Sequence, residues 1–177
     1  MKYEHTFVTY LESLKEDRGA LATLRRGLGQ PPGSAPSMCP YVVPHLPASA
    51  YPGSWQEQTY YLIAALFALH PVSTAKGNLG NHFARLRDPN AENNDALERR
   101  FTAILTADPA DMHIYLRQAI SFLKSHEETP VNWHQLMWDL LRMGSPEKLT
   151  AVRQSWARAF WGTPHPANEK PPETSGG

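Results

Sequence analysis

The sequence predicts an all-α protein, an irregular bundle of about eight helices with a long proline-rich loop over residues 30–52. Apolar residues recur at intervals of three and four along most of the chain, which is the period of an amphipathic helix. Capping residues precede these segments, and glycine or proline follows them. No segment alternates apolar and polar residues in the manner of a half-buried strand.

The first half of the chain is predicted to contain four helices. They are residues 3–15, a second helix from an Asp17 cap through Leu28 to the stop at Gly27 and Gly29, a third between a capping box of Ser54 and Glu57 and the stop at Pro71, and residues 79–86. The connector over residues 30–52 holds most prolines of this half and is expected to be irregular. Its predicted contacts with the core are Tyr41, Val42, Val43 and Leu46.

The second half is predicted to contain four more helices. They are residues 95–106, residues 110–124 after Asp108 and Pro109, a helix from an Asn132 cap to Gly144, and a last helix from Ser145 and Pro146 to Trp161. Residues 163–177 are rich in Pro, Glu, Lys, Ser and Gly, which predicts a disordered tail. We expect an N-terminal helical part over residues 1–90 and a C-terminal part over residues 91–162 packed on it, or one continuous domain.

The composition excludes several classes of protein. With 177 residues and 41% hydrophobic residues, the chain is long enough to bury a core. The single cysteine, Cys39, excludes a disulfide framework and a thiolate zinc site. The N-terminus lacks the apolar run of a secretory signal, and the longest apolar stretch, residues 60–69, is too short to cross a bilayer. We therefore expect a cytoplasmic protein.

Motifs of catalysis, cofactor binding and metal binding are missing from the sequence. The eight histidines show no metal-binding spacing, so His113, His126 and His134 are expected on helix surfaces or in hydrogen-bonded niches. Gly27 and Gly29 follow a predicted helix rather than a strand, which favours a helix end over a phosphate loop. No nucleophile elbow is present. We expect no enzymatic activity, no cofactor and no metal.

Arginine use is the most informative feature for function. Eleven of the seventeen basic residues are Arg, although the formal net charge is zero. Arginine presents a planar fork that fits phosphate, so a set of arginines on a helical scaffold predicts a surface that binds nucleic-acid backbone. The candidate contacts are Arg18, Arg25, Arg26, Arg99, Arg100, Arg117, Arg142 and Arg158. For Arg99 and Arg100 the sequence leaves open pairing with nearby acids, namely Glu92, Asp95, Glu98 and Asp111.

Aromatic residues of the last two helices divide into two groups. Trp133 lies on the apolar stripe of its helix, and Trp156 and Phe160 are four residues apart, so these three are expected to pack in the core. Trp138 lies about 140° from Trp133 around the helix axis and is expected to be exposed. Exposed tryptophan more often marks a protein-partner surface than a base-stacking platform.

Several motifs resemble those of the CasB family, the small subunit of the type I-E CRISPR Cascade surveillance complex. In chain order they are the run Arg18 to Gly27, Asn78-Leu79-Gly80 leading into Ala84-Arg85-Leu86, Glu98-Arg99-Arg100-Phe101, Leu116-Arg117, Val131-Asn132-Trp133 through Asp139-Leu140-Leu141, and the run Trp156 to Trp161. Together they cover about residues 5 to 162. Asn81 stands where the family often has a basic residue, and Met143 stands where an aromatic residue is common.

The resemblance implies an all-helical, non-catalytic protein that acts within the complex. Two copies would associate with each other and with the other Cascade subunits, and their basic residues would help hold guide RNA, target DNA and the displaced strand. The expected function is therefore stabilisation of the R-loop, in which protein contacts tip a balanced exchange of duplexes. Two alternatives remain at this stage, a helical adaptor whose arginines grip acidic proteins and an enzyme whose site has no recognisable motif.

Overall fold

The computed structural model describes residues 4–126 and 128–162, and these residues form nine α-helices and no sheet, which confirms the all-α prediction. The helices are α1 (Thr6–Ser13), α2 (Arg18–Leu24), α3 (Cys39–Val42), α4 (Trp55–Leu69), α5 (Leu79–Ala84), α6 (Asp95–Thr106), α7 (Met112–Ser125), α8 (Trp133–Arg142) and α9 (Pro146–Trp161). A single isolated bridge joins Ser73 to Val131 within these residues. The predicted tail over residues 163–177 lies outside the described residues.

Local capping explains where several helices begin. The Asp17 side chain accepts a 2.9 Å hydrogen bond from the Ala20 N–H, and Asn132 caps α8 in the same way, so both predicted caps are confirmed. Ser54 accepts from the Glu57 N–H at the start of α4. The Glu57 carboxylate accepts from Gly53 rather than from Ser54, so the predicted capping box is shifted by one residue on that side.

The connector that was predicted to be irregular contains short helical pieces. The connector over residues 30–52 contains α3 and two 3₁₀ turns, Pro36–Met38 and Val43–His45. Each of these pieces has proline in its first turn, where the fixed φ of proline suits a helix start. Val42 is buried as predicted, but Val43 is 51% exposed, so its predicted contact with the core is wrong.

Two helices are shorter than predicted because a 3₁₀ turn replaces one of their ends. α2 ends at Leu24, and Arg25–Gly27 forms a 3₁₀ turn that lies against Met38 and Ala65. α7 begins at Met112 after another 3₁₀ turn, Pro109–Asp111. Such turns are common at helix ends.

α4 is the central helix of the core. It packs against α1, α2, α3, α7 and α8, and most of its residues from Thr59 to Ala68 are buried. α5 packs against α9, where Gly80 lies directly on the Trp156 backbone carbonyl. The buried apolar side chains before and after residue 90 belong to one cluster, so the boundary predicted there stays a prediction. None of the described helices is long and apolar enough to cross a membrane.

Candidate nucleic-acid interface

Arg99, Arg100 and Arg117 meet where α6 packs against α7. Arg100 and Arg117 line one open groove of about 530 Å³. Arg99 and Arg100 line an adjoining groove of about 290 Å³. All three side chains are exposed. Residues from two helices therefore line two adjoining grooves, and Arg100 belongs to both.

The Arg100 guanidinium is held against an aromatic ring. Its central carbon lies 4.3 Å from the centre of the Phe122 ring. That ring also contacts the His126 ring at 4.0 Å and stacks on Phe83 at 5.8 Å. A cation over an aromatic face is attracted by the ring quadrupole, and the planar guanidinium also gains contact area. Packing thus orients Arg100 in the groove.

Arg117 connects this groove to the N-terminal part of the chain. Its Nη1 atom lies beside Gly29, where a Cβ atom would be only 2.6 Å away. Gly29 has a φ of 79°, a conformation that side chains rarely tolerate. The backbone conformation therefore favours glycine here, and the missing side chain leaves room for Arg117 beside this segment.

Arg25 and Lys124 converge on the C-terminal end of α4. The Arg25 Nη1 atom donates a 3.3 Å hydrogen bond to the Ala68 carbonyl, and Lys124 Nζ donates a 3.0 Å hydrogen bond to the Leu69 carbonyl. Cations at a helix C-terminus satisfy its last carbonyls and its partial negative charge. We call the set Arg25, Arg99, Arg100, Arg117 and Lys124 the α7 strip.

Lys124 was absent from the sequence-based set. It follows Arg117 by seven residues, so both lie on one side of α7, about 10 Å apart along its axis. The same seven-residue spacing relates Arg18 to Arg25, and applying it to α7 would have found Lys124. α7 itself contains no Asp or Glu.

No acid of residues 4–126 and 128–162 forms an ion pair with the α7 strip. Glu98, one of the acids considered as a partner for Arg99 and Arg100, instead pairs with Arg87 at 2.8 Å. No ion pair joins Arg99, Arg100 or Arg117 to a described acid. The pairing alternative left open by the sequence is therefore not realised in this part of the chain.

The remaining predicted contacts lie at other places. Arg18 is the first residue of α2, at the opposite end from Arg25, and Arg26 is exposed in the 3₁₀ turn beside Arg25. Arg142 and Arg158 are exposed in the last turns of α8 and α9, and in the described part of the chain no contact joins them to the α7 strip.

Two further arginines hold helices together. Arg87 donates to the Phe160 carbonyl at 3.2 Å in addition to its pair with Glu98, and its guanidinium lies 5.0 Å from the Phe160 ring centre. Arg153 donates to the Ala107 carbonyl. Both arginines are half-buried, whereas every residue of the α7 strip is exposed.

Trp138 lies on another surface and is 38% exposed, which confirms its predicted exposure. Its ring contacts the His5 ring at 4.7 Å. The backbone N–H of His5 donates a 2.8 Å hydrogen bond to Nδ1 of the His134 ring. The other ring nitrogen of His134, Nε2, lies 3.4 Å from Oε2 of Glu12. Burial, and then the neighbouring His134, lower the pKa of His5. The predicted core aromatics, Trp133, Trp156 and Phe160, are all buried.

Two buried side chains, Asp139 and His82, have ionisable groups. Burial raises the pKa of Asp139, whose carboxylate accepts hydrogen bonds from the Trp156 indole and the Gln135 amide. Burial, and then Arg85, lower the pKa of His82 to about 4. Among the described side chains, no group of three or more His, Cys, Asp or Glu residues is arranged to hold a metal ion.

Comparison with known proteins places these features in a family. The sequence model of CRISPR-associated protein Cse2 matches residues 20–161. A CRISPR-associated protein Cse2 of Thermus thermophilus is 34% identical over 173 residues, which cover 94% of this chain and 95% of that protein. The crystal structure of CasB from Thermus thermophilus has a TM-score of 0.74 at 32% identity, with 89% of this chain and 97% of that chain covered. A chain of a CRISPR RNA-guided surveillance complex has a TM-score of 0.71 at 26% identity, with 88% and 91% covered.

Proposed function

Because the chain belongs to the CRISPR-associated Cse2 family, we propose that it is a non-catalytic subunit of an RNA-guided surveillance complex that stabilises the R-loop. In this role the α7 strip binds the sugar-phosphate backbone of guide RNA, target DNA or the displaced strand. The observation that carries the proposal is the meeting of Arg99, Arg100 and Arg117 at grooves between α6 and α7 without a described acidic partner.

The chemistry of the α7 strip supports backbone binding. Guanidinium groups form paired hydrogen bonds with phosphate oxygens, and these contacts position a strand without reading its sequence. A guide-target exchange is nearly balanced in free energy, so a few backbone contacts are enough to shift it. The zero formal net charge supports a subunit that acts locally rather than one that coats DNA.

The remaining partners belong to the same proposal. We assign the exposed Trp138 to a protein interface, either with another subunit of the complex or with a second copy of this chain. Arg18 and Arg26 extend the proposed backbone contacts from the α7 strip along α2, while Arg142 and Arg158 would serve a separate contact. The proposed site of action is the cytoplasm.

Salt dependence tests backbone binding directly. Anisotropy titrations of labelled single-stranded DNA at several salt concentrations should give a slope of log affinity against log salt of about −3 to −4 if all five cations contact phosphate. Arg100→Ala with Arg117→Ala should weaken binding and make the slope less steep by about 1.4. The control is Lys148→Ala, an exposed cation on α9, which should leave both quantities unchanged.

Reconstitution tests the role in the complex. Complexes assembled with the wild-type chain, with the Arg100→Ala and Arg117→Ala double variant, or without the chain should differ in R-loop lifetime, and the wild-type complex should give the longest. Equal lifetimes in all three would contradict R-loop stabilisation. A double variant that assembles normally but binds DNA as wild type does would favour the adaptor alternative.

A further inference from the structure

We propose that the groove between Arg100 and Arg117 is a base-stacking site for unpaired nucleotides, and not only a contact for phosphates. This inference rests on the proposed function and adds that the groove contacts the bases of the bound strand. The occupant is a single nucleic-acid strand whose bases are free to turn toward the protein. Its recognition would come from Arg100 and from an apolar wall formed by Ile114.

The first support is the orientation of Arg100. The central carbon of its guanidinium lies over the Phe122 ring, 4.3 Å from the ring centre, and Phe122 itself contacts Phe83 and His126. Arg100 is nevertheless exposed and lines the groove, so its guanidinium can be reached from the solvent. A guanidinium plane held in this way is a surface on which a nucleobase stacks.

The second support is an apolar side chain where phosphate binding requires none. Ile114 is 46% exposed and lines the same groove as Arg100, Arg117 and Phe122. Phosphate gains nothing from an isoleucine wall, whereas a base that covers Ile114 removes apolar surface from water. Two other lining residues, Gln118 and Ser121, offer hydrogen bonds that suit base edges.

The third support is the charge around the groove. Arg117 lines the groove, Lys124 follows it on α7, and α7 carries no acid. Cations that follow a backbone beside a stacking surface are the usual arrangement for binding single strands. The bases of a duplex point inward and cannot use such a surface, so the groove should prefer a single strand. The groove volume of about 530 Å³ lies within the range of small-ligand pockets.

The test separates bases from backbone by using three labelled strands of equal length. They are oligo-dT, an abasic deoxyribose-phosphate strand of the same charge, and oligo-rU. With the full-length protein, oligo-dT should bind about tenfold more tightly than the abasic strand, the effect of roughly one stacked base. Equal binding of oligo-rU and oligo-dT would support a site for unpaired bases of either nucleic acid, and tighter oligo-dT binding would support a DNA site.

Three variants locate the effect. Ile114→Ser removes the apolar wall, so it should lower the preference for oligo-dT while abasic binding changes little. Arg100→Lys keeps the charge but removes the plane, so it should weaken oligo-dT binding more than it weakens abasic binding. The matched control is Tyr51→Ser, which removes an exposed aromatic side chain near the start of α4 and should leave the preference unchanged. All three positions are exposed, so the fold should tolerate the substitutions.

The outcomes distinguish this inference from the proposed function. Equal, salt-dependent affinity for oligo-dT and the abasic strand would overturn the stacking site and leave backbone binding intact. A preference for oligo-dT that survives both Arg100→Lys and Ile114→Ser would also overturn the site. Failure of every strand to bind would overturn both proposals.

Discussion

The indole N–H of Trp156 donates a 2.7 Å hydrogen bond to Oδ2 of Asp139, and both residues are buried where α8 meets α9. The other carboxylate oxygen of Asp139 accepts from the Gln135 amide at 2.9 Å. Because a buried donor without a partner is costly, Asp139→Ala should lower the free energy of unfolding by about 2 kcal/mol or more. Asp139→Asn, which keeps one acceptor oxygen, should cost less.

Urea denaturation of these variants measures the effect, with Gln154→Ala on the exposed surface of α9 as the control. The control should change the unfolding free energy by less than about 0.5 kcal/mol. Equal stability of Asp139→Ala and the control would show that the hydrogen bond contributes nothing to the junction of α8 and α9.

His82 should make stability depend on pH. Nε2 of His82 accepts a 3.0 Å hydrogen bond from the Asn132 N–H, while burial lowers the pKa of His82 from 6.5 to about 4. Between these values the unfolded chain binds the proton and the folded chain does not, so stability is present above pH 6.5 and is lost as the pH falls toward 4. The loss should be about 3 kcal/mol at most.

The variant His82→Gln isolates this contribution, because Gln can accept the same N–H hydrogen bond but does not titrate. The unfolding free energy should fall less between pH 7.5 and pH 4.5 in the variant than in the wild type. The raised pKa of Asp139 acts in the opposite sense and the lowered pKa of His5 in the same sense, but both cancel in the comparison. Parallel curves would contradict the prediction.

Replacement of Gly80 by alanine should destabilise the protein, although glycine is a poor helix former. A Cβ atom there would overlap the Trp156 carbonyl oxygen and lie 3.0 Å from the Ala159 Cβ, so Gly80→Ala must separate α5 from α9. The expected cost is about 1–3 kcal/mol, measured by thermal or urea unfolding.

Gly19→Ala provides the matched control on α2. Its added Cβ would meet only Asp17 Oδ1, at 3.4 Å, and alanine is the better helix former, so this variant should gain about 0.5 kcal/mol. If both alanine variants shifted stability by the same amount, the close approach of α5 and α9 would be refuted.

Arg87 and Arg99 should differ in what they contribute. Arg87→Ala removes the pair with Glu98, the hydrogen bond to the Phe160 carbonyl and the contact with the Phe160 ring, and should cost about 1–2 kcal/mol of stability. Its affinity for single-stranded DNA should stay at the wild-type value. Arg99→Ala should leave stability unchanged and weaken DNA binding. Urea unfolding and DNA titration of both variants test this difference. Loss of DNA affinity in Arg87→Ala and loss of stability in Arg99→Ala would contradict the roles given to the two arginines.

The sequence was sufficient where structure depends on neighbours along the chain. The caps at Asp17 and Asn132 follow from local hydrogen bonds. The bounds of α6 follow from helical periodicity. The 3₁₀ turns were missed because the choice between turn types at a helix end depends on packing, here of Gly27 against Met38 and Ala65.

The candidate interface could be predicted only in part, because it is built by contacts between distant segments. Periodicity shows that Arg117 and Lys124 share a side of α7, but it does not reveal that Arg117 reaches Gly29 or that Lys124 reaches Leu69. The pair of Arg87 with Glu98 could not be predicted from the sequence either, because Arg87 is eleven residues away from Glu98 and lies outside α6.

Asn81 illustrates the opposite case, in which hydrogen bonds between near neighbours explain the residue. Its side chain accepts from the Asn78 N–H at 2.9 Å while Asn78 accepts from the Asn81 N–H at 3.2 Å, a reciprocal capping box at the start of α5. A basic residue at this position would lose half of that exchange. Helix capping therefore accounts for asparagine at this position.

The contact between Gly80 and Trp156 makes α5 dependent on α9 for its existence. α5 has six residues, far fewer than an isolated helix needs in water, so it should hold its shape only while α9 supports it. Amide protons of the two helices should therefore exchange with solvent at similar free energies, as one cooperative unit of local opening. Fraying that travels along α9 as far as Trp156 would release α5 in the same event.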